Sequence, residues 1–295
     1  MNVGFPSSTR VIHQSFQSGP LRHLLRRLIR QPGAWLGALL VGSALLGALA
    51  APWLATFPPA QIDLGAQLQP PSLAHLAGAD FYGRDLASRL LFGGRVTLGI
   101  AGAAVGLAMT AGTLIGLLAG FSRGWAGQAW VALIDLLLAF PTLLLALLVI
   151  ASMGAGLRSL VLAVAVAGIP NYARLVRGVT LANRSAPYVE AARAVGASSG
   201  RILWRHLLPG VIAPVLALAT LDVGWAILHV SALGFLGLGA APPQAEWGLM
   251  LFEGREYLGS APWASAIPGL AISLTVLGVT LLGDALSAAL TPGRG

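Results

Sequence analysis

Apolar runs of about 20 residues recur along this chain, each long enough to cross a hydrocarbon layer of about 30 Å. No other feature restricts the fold so strongly. Backbone groups in lipid find no water, so a spanning segment is a helix or part of a closed barrel. The runs are continuous rather than alternating, which excludes the barrel. Charged residues make up 9% of the chain, against about 25% in an ordinary soluble domain. The expected fold is therefore all-α: a polytopic membrane protein with about six transmembrane helices. The spans are expected near residues 34–55, 96–119, 129–151, 159–176, 211–236 and 264–285.

The charges that remain are patterned. All 18 basic residues are Arg, and there is no Lys and no Cys. Absence of Cys removes disulfides, thiolate metal sites and thiol nucleophiles. Absence of Lys removes any GxxxxGK[ST] phosphate loop, so the chain is not expected to hydrolyse ATP itself. No HExxH is present either, and no catalytic residue, metal ligand or cofactor site is expected. The formal charge of +8 does not point to nucleic acid, because the Arg residues sit beside apolar runs. They fit the positive-inside rule instead. Six spans put both termini on one side. That side holds 13 Arg against 5 on the other, which predicts cytoplasmic termini. Residues 1–33 read as a cytoplasmic segment rather than a cleaved signal, with Arg22, Arg26, Arg27 and Arg30 as its anchor. Leu21, Leu24, Leu25 and Leu28 interleave with them, so the segment is either a surface-lying helix or a simple positive anchor.

Glycine is frequent inside the spans, as in GIAGAAVGLAMTAGTLIGLLAG, and small residues allow close helix approach in membranes. Pro141, Pro170, Pro214 and Pro268 fall within or beside spans, where they can kink helices. Between the fourth and fifth spans lies YVEAARAVGASSGRILWRHLLP, a charged stretch outside the bilayer. It reads as a helix over 189–195, a break at Gly196, a turn at Ser198, Ser199 and Gly200, and a second helix over 201–207 that Pro209 ends. Ser198 or Ser199 is a natural N-cap for that second helix. Such a projection is too small for a catalytic domain and the right size for a groove on a partner.

This stretch resembles the EAA loop of bacterial ABC importer permeases, with Glu190, Ala191, Ala192, Gly196, Leu208 and Pro209 on the pattern and His206 departing from it. The resemblance extends from about Leu76 to Pro292. GADFYGRDLASRLLFGGRVTLGI, DLLLAFPTLLLAL, SALGFLGLGAAPPQAEWGLML and LLGDALSAALTP are similar, in order, to segments of the dipeptide, oligopeptide and nickel permeases of the second-permease type. The resemblance implies a type I ABC importer transmembrane domain over 76–292, preceded by a first helix and the start of an extracytoplasmic loop over 34–75. It further implies that 188–209 is a coupling loop for an ATPase, carried by Glu190, Ala191, Ala192, Gly196, Arg201, Leu208 and Pro209. Implied partners are two ABC ATPase subunits, a homologous permease in a heterodimer, and an extracytoplasmic substrate-binding protein. The implied location is the bacterial inner membrane. The implied cargo is peptides, or nickel and metal-chelate (metallophore) species. LATLDVGWAILHVSALGFLGLG resembles the nickel branch, and IPNYARLVRG is shared by peptide branches.

Some charged positions fall outside these motifs. Asp80 with Arg84, and Asp85 with Arg89, have the i, i+4 spacing of helical ion pairs. Asp135 and Asp284 lie at span ends, as interfacial groups or partners for Arg. Asp222 and His229 lie inside the fifth span, two turns apart and on one face. Intramembrane ionisable groups mark pathways or make inward hydrogen bonds, and both readings apply to this pair. An ATP-independent secondary transporter or channel is the rival function. Such proteins often show inverted repeats, and none is evident here.

Overall fold

The computed structural model describes residues 31–290, so the expected surface helix or anchor at the N-terminus lies outside the described residues. Among the described residues no β-strand occurs, and five single helices are long and apolar enough to span a membrane. They are α1 (Pro32–Leu49), α3 (Leu86–Phe121), α6 (Leu157–Asn183), α9 (Leu208–Phe235) with its N-terminal extension, and α11 (Trp263–Leu290). The short helix α2 (Ala51–Leu54) follows α1 directly.

The third expected span, near 129–151, is not one rod. It divides into α4 (Gly124–Ala139) and α5 (Thr142–Met153), bent by 96° at Phe140 and Pro141. Proline removes an N–H and disfavours helix in the residue before it. Pro170, Pro214 and Pro268 lie inside α6, α9 and α11, which run on through them. Only Pro141 of the four accompanies a break.

The central seam joins α3 to α6, and glycine makes it close. A Cβ on Gly112 would stand 2.7 Å from the Ile169 carbonyl oxygen. One on Gly116 would stand 2.6 Å from that of Ala173, and one on Gly120 2.6 Å from Thr180 Cβ. These positions repeat every four residues and so form one groove, into which α6 settles. At the side, α1 packs on α11 through Gly37 and Gly278 in the same way. α9 lies against α3, α6 and α11.

The end of the bundle opposite residues 187–207 is closed by polar contacts. α3 begins ten residues before its expected start, because Asp85 caps it by accepting from the Ser88 N–H at 2.8 Å. The expected Asp85–Arg89 pair is therefore absent: Asp85 also faces His75 at 3.0 Å, and Arg89 turns elsewhere. The Asp80–Arg84 pair forms at 2.6 Å, but in a loop rather than in a helix. The stretch expected as a polar loop after the fifth span contains α10 (Trp247–Gly254), a mostly buried helix. Glu246 caps it, accepting from Gly248 and Leu249 N–H at 2.8 Å each and from Thr97 Oγ1 at 2.9 Å. Full burial pushes the Glu246 carboxyl above the ordinary range, while these donors pull it back down. The Trp247 indole N–H donates to the Leu90 carbonyl at 2.9 Å, so α10 is pinned to α3.

Candidate functional site

The segment that follows α6 is amphipathic at short range. Helix α7 (Pro187–Ala194) has proline in its first turn, Glu190 near its N-terminus and Arg193 near its C-terminus, each matched to the helix dipole. Gly196 then adopts φ +81°, a conformation that costs a side-chain-bearing residue, and the chain reverses. Its N–H donates to the Arg193 carbonyl at 2.9 Å, and the Ala197 N–H to that of Ala192 at 3.0 Å. Ser198 is the N-cap of α8 (Ser199–Ile202), accepting from the Arg201 N–H at 3.4 Å. Residues 196–200 also spell GxSxG. They join two helices rather than a strand and a helix, so Ser198 is a cap and not an esterase nucleophile.

Two expectations about this segment are corrected here. Ser199 and Gly200 belong to the helix and not to the turn. Pro209 does not end the second helix. α8 passes through a π-turn at Leu203–Leu207 into α9, forming one span from Ser199 to Phe235. Pro209 lies in the first turn of α9, and the wider π-turn precedes it.

The inner face of the segment is packed. Val189, Ala192, Ile202 and Leu207 are buried in one cluster with Leu117 of α3, Tyr172 and Val176 of α6, and Val211 and Val215 of α9. The outer face is open. Glu190, Ala191, Arg193, Arg201 and Pro209 are exposed, Leu208 is half-buried, and Val195 is 85% exposed. A hollow of about 480 Å³ lies between the two helices, lined by Ala191, Ala192, Val195, Arg201 and Arg205 among others. His206, the departure from the motif, is half-buried with its ring 6.4 Å from that of Tyr188. Of the sequence-expected group, Ala191, Ala192 and Arg201 line this hollow, Glu190 and Gly196 lie in the same segment, and Leu208 and Pro209 lie about two turns beyond Arg201.

Asp222 and His229 do share the half-buried side of α9, but they have different neighbours. Asp222 lies beside the buried hydroxyl of Tyr172, which makes no well-formed hydrogen bond. His229 stacks on Trp225, ring centres 3.7 Å apart, with Nδ1 3.0 Å from the Trp225 carbonyl oxygen. Sequence reasoning missed Tyr172 and Trp225. Tyr172 stood in the conspicuous IPNYARLVRG, but its register against Asp222 depends on how α6 meets α9. Asp135 and Asp284 are exposed, and neither forms an ion pair among the described residues.

At the opposite end, four charges meet over a cavity of about 380 Å³, three of them buried and Glu253 half-buried. Arg84 bridges Asp80 at 2.6 Å and Glu253 at 2.8 Å; Arg89 reaches Glu253 at 2.9 Å and Asp80 at 3.5 Å. The arrangement is electrically balanced, and it joins the loop before α3, α3 itself and α10. Glu253 gave no sequence signal because its partners lie more than 160 positions away.

Residues 112–294 match the family described as binding-protein-dependent transport system inner membrane component. The chain belongs to this family. Residues 19–71 match the N-terminal TM domain of oligopeptide transport permease C. The chain is 38% identical over 287 residues to a dipeptide transport system permease protein DppC of Alkalihalophilus pseudofirmus, covering 97% of this chain and 94% of that one. It is 42% identical over 283 residues to a glutathione transport system permease protein GsiD of Pectobacterium atrosepticum, covering 96% and 94%. A third relative, a di/tripeptide permease of Pseudomonas aeruginosa, is 41% identical over 279 residues, with 92% of each chain covered. The inward-facing MetNI methionine ABC transporter superposes with a TM-score of 0.55 at 19% identity, over 69% of this chain and 97% of that one. That likeness concerns the fold, which is the expected type I ABC importer transmembrane domain. The family is one of transport permeases, multi-pass in the membrane, and not of enzymes.

Proposed function

We propose that this chain is the permease subunit of an ATP-driven importer in the bacterial inner membrane. It forms, with a homologous permease, a route for peptides that a binding protein delivers. Of two ATPase subunits in the complex, one grips the outer face of residues 187–207, which is then cytoplasmic. One observation carries the reading. The inner face of that segment belongs to the same packed cluster as Tyr172, whose hydroxyl lies beside Asp222 within the spans. Close-packed interiors transmit displacement, so movement of α7 reaches the Tyr172–Asp222 pair. The face of α9 bearing Asp222 and His229 lines the route.

Peptide cargo is supported by the dipeptide, glutathione and di/tripeptide names of the relatives. The test is uptake into proteoliposomes holding this chain with its co-encoded permease, ATPases and binding protein. Labelled peptides are compared with free and chelated nickel, with and without ATP. ATP-dependent uptake of peptides is expected. Uptake confined to nickel species would move the cargo assignment to metal chelates. Flux that needs no ATP would overturn the importer reading in favour of a secondary transporter.

A further inference from the structure

At the end of the bundle that carries residues 187–207, a second hollow of about 550 Å³ opens between the end of α3, the first turns of α4 and the last turns of α6. Its walls carry Arg123, Arg177 and Arg184 against a single acid, Asp135. None of these four side chains forms an ion pair among the described residues. Arg184 donates to the Gly120 carbonyl at 3.4 Å, and the Nε of Arg177 is sealed from solvent without a hydrogen-bond partner. The N-terminus of α4 opens into the same hollow, and its N-cap, Arg123, supplies no side-chain acceptor. Gly127 allows this first turn to sit on the end of α3, where a Cβ would stand 2.7 Å from the Ser122 carbonyl oxygen.

The positive-inside rule asks only that Arg residues reach water near a span. It does not account for three of them around one hollow, with one guanidinium nitrogen buried and unbonded. A guanidinium fork and an uncapped helix start are both suited to phosphate. The charged hollow also adjoins an exposed apolar surface on α4, where Trp125 is 83% exposed and Leu136 58%. A phosphate carried on acyl chains would use both surfaces, while a free phosphate would use only the first. Basic hollows between membrane helices are known to hold anionic headgroups.

We propose that this hollow is a binding site for the phosphate headgroup of an anionic phospholipid, held by Arg123, Arg177 and Arg184, with its acyl chains along α4.

The test uses the assembled complex in nanodiscs of phosphatidylcholine containing a minor fraction of phosphatidylglycerol. Lipids retained on release are read by native mass spectrometry. Wild type is expected to retain phosphatidylglycerol selectively, and Arg177→Gln with Arg184→Gln to lower its occupancy by about tenfold. Arg123→Gln, at an exposed position outside the helices, is expected to lower it with helicity and thermal midpoint unchanged, which separates binding from folding. Equal retention in wild type and in the Arg123→Gln complex would overturn the proposal. So would displacement of the lipid by millimolar inorganic phosphate, which would mark a soluble-anion site. Retention by the permease pair alone that vanishes once the ATPase subunits bind would assign the hollow to an acidic side chain of a partner, and would overturn it too.

Discussion

Arg89 and Glu253 stand 164 positions apart in the chain and meet through a hydrogen bond of 2.9 Å. Arg89 is fully buried, and it also donates to the carbonyl of Pro59 at 3.2 Å. Removing Arg89 leaves Asp80 and the half-buried Glu253 to share the single charge of Arg84, and breaking a buried pair costs up to about 3–5 kcal/mol. Arg89→Met is therefore expected to lower the thermal midpoint of the purified complex sharply. Pairing it with Glu253→Met should recover part of the loss. A double variant no better than the sum of the singles would show that the two residues are not coupled.

The α3–α6 seam gives a prediction with its own control. Gly116→Val forces a side chain against the Ala173 carbonyl and Val176, and overpacking of this kind costs about 1–3 kcal/mol. Gly99→Ala, on the same helix, has nothing within 4 Å of the new Cβ and is expected to keep or slightly raise stability, since Ala is the better helix former. The readout is thermal unfolding of the purified complex. Equal midpoints for the two variants would mean that the helices are not held at the distance seen here.

The turn at Gly196 separates structure from coupling. Gly196→Ala places a side chain at φ +81°, with a cost of about 1–2 kcal/mol confined to the turn. Gly196→Pro cannot adopt that angle at all. Import is expected to fall in the first variant and to stop in the second, with cargo affinity of the binding protein unchanged. Unchanged import in Gly196→Pro would remove the coupling role from residues 187–207.

On the outer face, Glu190→Arg reverses an exposed charge and Val195→Asp places a charge on a largely exposed apolar residue. Both side chains point away from the packed cluster, so folding should be preserved. The expected result is loss of ATPase subunits on copurification and loss of import. Retention of a full complement of ATPase with normal import in both variants would place the grip elsewhere.

Within the spans, Tyr172→Phe removes only the hydroxyl beside Asp222, and Asp222→Asn removes the charge while keeping the shape. Import is expected to slow by about tenfold in Asp222→Asn, a change of about 1.4 kcal/mol in the limiting barrier. ATP hydrolysis by the complex should persist. Import at the wild-type rate in both variants would leave this pair a structural contact only.

Hydropathy alone located the membrane-spanning helices to within a few residues at many of their ends, because lipid leaves the backbone so few alternatives. The helix–turn–helix at residues 187–207 was legible for a local reason: Gly196 and the Ser198 cap act within four residues of themselves. The α4–α5 bend was harder to read, because Pro170, Pro214 and Pro268 look the same in sequence and do not break their helices. α10 was hidden because its burial depends on Glu246 reaching Thr97, a contact across 149 positions. Tyr172 and Glu253 were missed for the same reason, since each acquires its meaning from a distant partner.

The continuity of the helix from Ser199 through Phe235 has a mechanical consequence. At 1.5 Å per residue it is a beam about 55 Å long. Asp222 divides it into arms of about 35 Å and 20 Å. If the beam rocks about the point where Tyr172 meets Asp222, a displacement of its water-exposed tip arrives at the far end reduced to a little over half. The force there is raised in the same ratio. The π-turn at Leu203–Leu207 lies near the driven end, where some give would cushion the stroke without altering the gearing.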